Sequence, residues 1–124
     1  MSGDPVLDPE QVRQLEESLG VEELAAMLDD LLVTVARRLE ALQAADREGD
    51  LVAWGAVVHG LKGVCGLVGA GAMVQACVRA DPRHRLVPGD ERARHQQDLQ
   101  QTWDATREAI ARLRVRLRGH GDGP

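Results

Sequence analysis

The sequence predicts an all-α protein, an antiparallel up-down four-helix bundle with a short N-terminal helix capping one end. Three observations carry this expectation. Only 2% of the 124 residues are aromatic, two Trp with no Phe or Tyr, so the core has to be aliphatic. Leu, Ala and Val dominate without long β-branched runs, a composition that favours helix. Apolar residues recur at intervals of three and four, and no stretch shows the period-two alternation of a strand.

The elements follow in order. Residues 1–7 read as a flexible tail. At "LDPEQ" a helix begins, with Asp8 as N-cap, Pro9 in the first helical position and Gln11 completing a capping box. Gly20 ends it. The next segment, "VEELAAMLDDLLVTVARRLEALQAADREGD", is one long helix whose Leu24, Leu28, Leu31, Leu32, Val35, Leu39 and Leu42 share a face. Gly49 stops it and Asp50 caps a third helix that starts at Leu51. A fourth covers residues 70–80 and is ended by Pro82, which cannot continue the hydrogen-bond ladder. "DPRHRLVPGD" is a loop with a Pro88-Gly89 turn. Asp90 caps a fifth helix that runs to about Arg118, with Leu99, Trp103, Thr106, Ile110, Leu113 and Leu117 as its packing seam. "GHGDGP" reads as a disordered tail. Four helices with short connections make an antiparallel bundle. The chain is therefore one domain, residues 8–118, between a tail at 1–7 and a tail at 119–124.

Charge and composition narrow the function. A net charge of −5 argues against a nucleic-acid binder built on phosphate contacts, and the aromatic platforms of single-strand binders are missing. The one basic cluster, Arg112, Arg114, Arg116 and Arg118, suits the end of a helix and a solvated face. The N-terminus shows no signal-peptide pattern, and the most apolar run, residues 63–78, is too short and too glycine-rich to span a membrane. A cytoplasmic protein is expected, and the initiator Met and short tails favour a stand-alone one. Cys65 and Cys77 lack metal or redox spacing and read as small core residues. His84, His95 and His120 read as solvated surface residues. No two histidines show the helical spacing of a zinc site, so no metal is expected. No nucleophile–base pair and no phosphate loop suggests an enzyme with its own active site.

The informative stretch is "VVHGLKGVCGLVGAG", residues 57–71, where glycines crowd a helix that holds His59 and Lys62. Each interior glycine weakens a helix. On a helical wheel Leu51, Trp54, Val58, Leu61, Cys65 and Val68 form a core seam. His59 points nearly opposite, among Val52, Gly55, Ala56, Lys62, Gly63 and Gly66. It is thus expected to be exposed on a face stripped of side chains, with Gly55, Gly63 and Gly66 clearing the approach. Glycine suits close approach by another backbone or a ligand. Histidine keeps a neutral, nucleophilic fraction near neutral pH, and a neighbouring lysine suits an anion such as phosphate. Gly69 and Gly71 read as the turn between the third and fourth helices. Gly60 fits neither group. These residues alone leave two readings open: a functional exposed histidine, or a surface histidine on a helix that packs closely against a neighbour.

The stretch resembles the signature of histidine-containing phosphotransfer (HPt) domains: His, any residue, Leu, Lys, Gly, then Gly-Ala after five further residues. His59, Leu61, Lys62, Gly63, Gly69 and Ala70 stand in those places. The entry helix "LDPEQVRQLEESLG" and the long helix ending "ALQAADREGD" are also similar, so the resemblance covers nearly the whole chain. It implies a phosphoryl carrier without its own active site. His59 would accept the group through Nε2 from a phospho-Asp of a response-regulator receiver domain and pass it to another receiver. Lys62 would balance phosphoryl charge, and Gly63 would give steric access. Val52, Gly55, Ala56, Gly60, Gly66, Leu67 and Gln75 are the expected partner surface. The resemblance further implies an upstream hybrid histidine kinase, a monomer, and no cofactor, with Mg²⁺ on the partner receiver. Some positions depart from the family pattern. Gly60 replaces a small polar residue, Cys65, Gly66 and Leu67 replace a small polar run, and Ala80 and Asp81 stand at a usual Leu-Glu pair before Pro82 breaks the helix. The alternative is a non-phosphorylated HPt-like adaptor that docks and inhibits a receiver or kinase.

Overall fold

The computed structural model describes residues 6–82 and 89–122, and all regular structure in them is helical. Helix α1 spans Pro9–Leu19, α2 Val21–Glu48, α3 Leu51–Leu67, α4 Gly71–Ala80 and α5 Gly89–Asp122. Helices α2 to α5 contact one another in a ring: α2 meets α3 and α5, and α4 meets the same two from the other side. Helix α1 lies on α2. No helix among the described residues is long and apolar enough to cross a membrane.

Local chemistry sets most boundaries where the sequence places them. The Asp8 carboxylate accepts from the Glu10 N–H at 3.0 Å, and the Asp50 carboxylate from the Ala53 N–H at 3.0 Å, each satisfying a donor with no intrahelical partner. Gly49 closes α2 in the left-handed conformation, φ 66°. Helix α4 starts at Gly71 rather than at residue 70, because Ala70 has left helical geometry at ψ 71°. Helix α5 begins at Gly89, one residue ahead of the expected cap, and continues to Asp122 beyond the expected end at Arg118. Residues 119–122, read as tail, therefore extend a helix. The expectations for residues 1–5, the loop at 83–88 with His84, and residues 123–124 fall outside the described residues, as do the side chains of Asp90 and His120.

The core follows the predicted spacing except at Leu32, which is half-buried at its edge, and at Leu51. Leu24, Leu28, Val35 and Leu42 of α2 close on Trp54, Val58 and Leu61 of α3, Met73 of α4, and Leu99, Ile110 and Leu117 of α5. Thr106 is fully buried and donates its hydroxyl to the Thr102 carbonyl at 2.8 Å, so its polar atom is satisfied. The Trp54 indole Nε1–H donates to the Ala80 carbonyl at 3.0 Å and ties α3 to the end of α4. Leu51, assigned to the seam, is instead 41% exposed at the start of α3.

Two other expectations change. Gln11 does not close a capping box. Its Nε2 donates to the Gly66 carbonyl at 2.8 Å and to the Leu67 carbonyl at 3.3 Å, and the Asp8 N–H donates to the Gly69 carbonyl at 2.8 Å. The start of α1 is thereby latched to the end of α3, whose last carbonyls need donors. The basic cluster on α5 is not merely solvated: Arg114 pairs with Asp29 at 2.6 Å and Arg116 with Glu16 at 3.1 Å, joining α5 to α2 and α1. His95, read as a solvated residue, is half-buried.

The latch leaves no room at Gly69. Its φ is +73°, and an added Cβ would meet the Gln11 Cβ at 3.2 Å and the Asp8 Cβ at 3.3 Å. Gly69→Ala is expected to destabilise the protein by about 1–3 kcal/mol in urea unfolding, and an unchanged midpoint would contradict the latch. Cys65 and Cys77 are buried free thiols, and burial pushes both up from the ordinary value near 9 to about 12. Native thiols then keep their protons where unfolded ones lose them. Stability should be full below pH 9 and fall as pH rises toward 12, by on the order of 1 kcal/mol per thiol at pH 10. Urea midpoints across that range check it, and a Cys65→Ala, Cys77→Ala double variant should lose the slope.

Candidate functional site

Helix α3 is two-sided. Its inner side buries Trp54, Val58, Leu61 and Cys65, and this packing fixes which residues point outward. His59 is exposed at the middle of the helix. Lys62 is half-buried and Gly63 exposed, three and four residues on. Side chains at these spacings lie roughly 5–6 Å apart between Cβ atoms, so imidazole, ammonium and an empty glycine position occupy one turn. Among the described residues no carboxylate pairs with Lys62. An added Cβ at Gly63 would meet nothing within 4 Å. The arrangement puts an exposed imidazole beside a cation, with no side chain in the way at position 63.

The other glycines on this helix do not all clear the face. Gly55 is buried, and a Cβ there would touch Pro82 Cγ at 3.4 Å. Gly66 is half-buried, 3.9 Å from Val74 Cγ2 by the same measure, and its carbonyl is held by Gln11. Gly55 and Gly66 therefore face Pro82 and Val74 at ordinary contact distance rather than open solvent, which corrects the expectation that both keep the approach open. Gly60 lies under the Arg38 guanidinium of α2. Gly71 belongs to α4, and Gly69 alone makes the turn with a positive φ.

A groove of about 540 Å³ runs beside the histidine, lined by Leu51, Val52, Gly55, Ala56, His59 and Pro82. Val52 stands 86% exposed on its rim. The structure thus gathers Val52, Gly55 and Ala56 with His59. Leu67, 61% exposed, lies instead on the α2 flank, in a hollow with Met27, Leu31 and Val64. Gln75 is exposed but shares a separate hollow with Gln11, Gly66 and Gly69, toward α1. Leu51 and Pro82 were not singled out as surface residues. Leu51 fits the seam by periodicity, and Pro82 reads only as a helix breaker, yet the Trp54–Ala80 bond brings it back against Gly55 to wall the groove. Among the described residues, no group of three or more His, Cys, Asp or Glu is placed to hold a metal ion.

Comparison with known proteins bears on the fold and the family. The fold matches the crystal structure of histidine-containing phosphotransfer protein B (HptB) from Pseudomonas aeruginosa PAO1, with a TM-score of 0.82 and 23% sequence identity over 92% of this chain and 98% of that one. Among curated proteins none is significantly similar in sequence. The family model for the Hpt domain matches residues 26–115, which take in α3 and all three residues of its exposed turn. The chain belongs to the Hpt domain family.

Proposed function

We propose that this protein relays a phosphoryl group between Asp residues of response-regulator receiver domains through a phosphohistidine at His59. The observation that carries the reading is the exposed turn of α3 in an Hpt-family chain: His59 outward, Lys62 beside it, and Gly63 open. Nε2 of neutral His59 attacks the phosphorus of a receiver's aspartyl phosphate. A P–N bond forms, the P–O bond to the aspartate breaks, and the carboxylate leaves with the electron pair. The reverse step, onto the Asp of a second receiver, returns the imidazole unchanged. Exposure permits in-line approach, and Lys62 offsets charge on the transferring oxygens. The receiver supplies Mg²⁺ and the acidic site, so the carrier needs no cofactor.

The same reading places a monomeric carrier in the cytoplasm, downstream of a hybrid histidine kinase. It takes the helix ring as an up-down antiparallel bundle with α1 capping one end, and it takes residues 8–118 as the functional domain. The groove that ends at His59 and the hydrophobic Val52 on its rim suit an apolar partner surface. Ala56 and Gly66 extend the expected contact area along α3, and a partner that also covers the flanks toward α2 and α1 would reach Leu67 and Gln75.

A phosphorylated receiver is expected to label the protein with acid-labile, alkali-stable phosphate. His59→Gln should abolish labelling with an unchanged helical spectrum, and a mutant that labels like wild type would refute the assignment. Lys62→Ala should slow transfer by about 10–100-fold, the range for one hydrogen bond to a charged group. Gly63 separates access from stability. Gly63→Ala should raise stability by about 0.5–1 kcal/mol, since nothing opposes its Cβ, whereas Gly63→Leu should fold normally yet fail to transfer. Normal transfer by Gly63→Leu would show that no partner comes close to this turn.

A further inference from the structure

The place of Gly60 is taken by a side chain from another helix. A Cβ at position 60 would collide with the guanidinium of Arg38, with Cζ 3.3 Å away and Nε 4.0 Å away. The guanidinium is laid across the α3 backbone at the residue next to His59. Arg38 is half-buried, and its Nε is sealed from water without a hydrogen-bond partner. Among the described residues no carboxylate pairs with Arg38. A cation with a shielded, unanswered donor is unfavourable by itself and calls for an anion.

The anion's place follows from the helix geometry. At 100° per residue, Gly60 lies about 100° to one side of His59 and Lys62 about 60° to the other. Arg38 therefore flanks the imidazole from the α2 side and Lys62 from the α4 side. Gly60 and Gly63 put no side chain between the guanidinium and the exposed face of His59. We infer that Arg38 and Lys62 together form an anion site over His59, with Arg38 donating guanidinium N–H bonds to the oxygens of a phosphoryl group on the imidazole. This rests on the proposed phosphoryl transfer. A planar guanidinium suits three phosphoryl oxygens better than a second ammonium does, and it needs only to turn about its outer bonds. Gly60 then has a reason that the sequence alone does not offer: it is the seat of the second cation.

Inorganic phosphate tests the site without any transfer step. In ¹⁵N-labelled unphosphorylated protein, added phosphate should shift the His59 imidazole and Arg38 Nε–H signals. Arg38→Met keeps the stem without the charge and should weaken phosphate binding about tenfold, with Arg38→Lys in between. Wild-type affinity in Arg38→Met, or no phosphate-dependent shift at His59 in wild type, would overturn the inference. If Arg38→Met fails to fold, equal affinity of Arg38→Lys and wild type would overturn it instead. So would unchanged phosphate affinity combined with slowed receiver-dependent transfer, because Arg38 would then be meeting receiver carboxylates. Phosphoramidate labelling runs beside the titration. Its P–N bond breaks, ammonia leaves, and the new P–N bond forms on the imidazole. Failure of labelling at His59 counts against the phosphocarrier reading, whereas failure of the titration counts against the Arg38 site.

Discussion

The structure depends on the buried side of α3. Trp54 is fully enclosed and its indole N–H is bonded to the Ala80 carbonyl, while Val58, Leu61 and Val68 are buried on the same side. Four glycines in this one helix cost about 3–4 kcal/mol relative to alanine. Burial of those four apolar side chains returns roughly 6–12 kcal/mol. Packing wins, so α3 stays helical while its outer side is left almost bare. Without the seam, His59 would have no fixed direction, and the position of Gly63 beside it would mean nothing.

That surplus is spent differently at each glycine. Gly55 faces Pro82 at contact distance, and the two wall the groove beside His59. Gly66 faces Val74 of α4 at ordinary contact distance and offers its carbonyl to Gln11, so the end of α3 is held by α1 as well as by the core. Gly63 is left open. Gly60 receives a guanidinium. One composition signal, a run of glycines around a histidine, thus resolves into three contacts and one vacancy. The vacancy and the guanidinium lie on the side of α3 where His59 is exposed, and the other contacts hold the helix in register.

The sequence was legible wherever a single helix decides the outcome. The caps at Asp8 and Asp50, the stop at Gly49, the buried seams of α2 and α5, and the outward direction of His59 all follow from local spacing. What was not legible depends on which residue of one helix meets which residue of the next. Arg38 and Gly60 are 22 positions apart on different helices, and no periodicity within either reports their contact. Gln11 completes a local capping motif, yet its side chain is drawn 55 positions along the chain to the Gly66 carbonyl in the last turn of α3. The same limit applies at Gly55 and Gly66. A wheel reports direction but not what stands in that direction. Leu51 fits its seam by spacing and is exposed because it lies at the first residue of the helix.

The central claim is that the outward nitrogen of His59 is the atom that carries phosphate. The most direct measurement is a long-range ¹H–¹⁵N correlation on uniformly ¹⁵N-labelled protein after phosphorylation, with ³¹P coupling used to identify the bonded nitrogen. The account predicts one phosphorus-coupled nitrogen, Nε2 of His59, with the other histidines unchanged. Coupling at His95 or another histidine, or phosphate held with no nitrogen coupling at all, would contradict it.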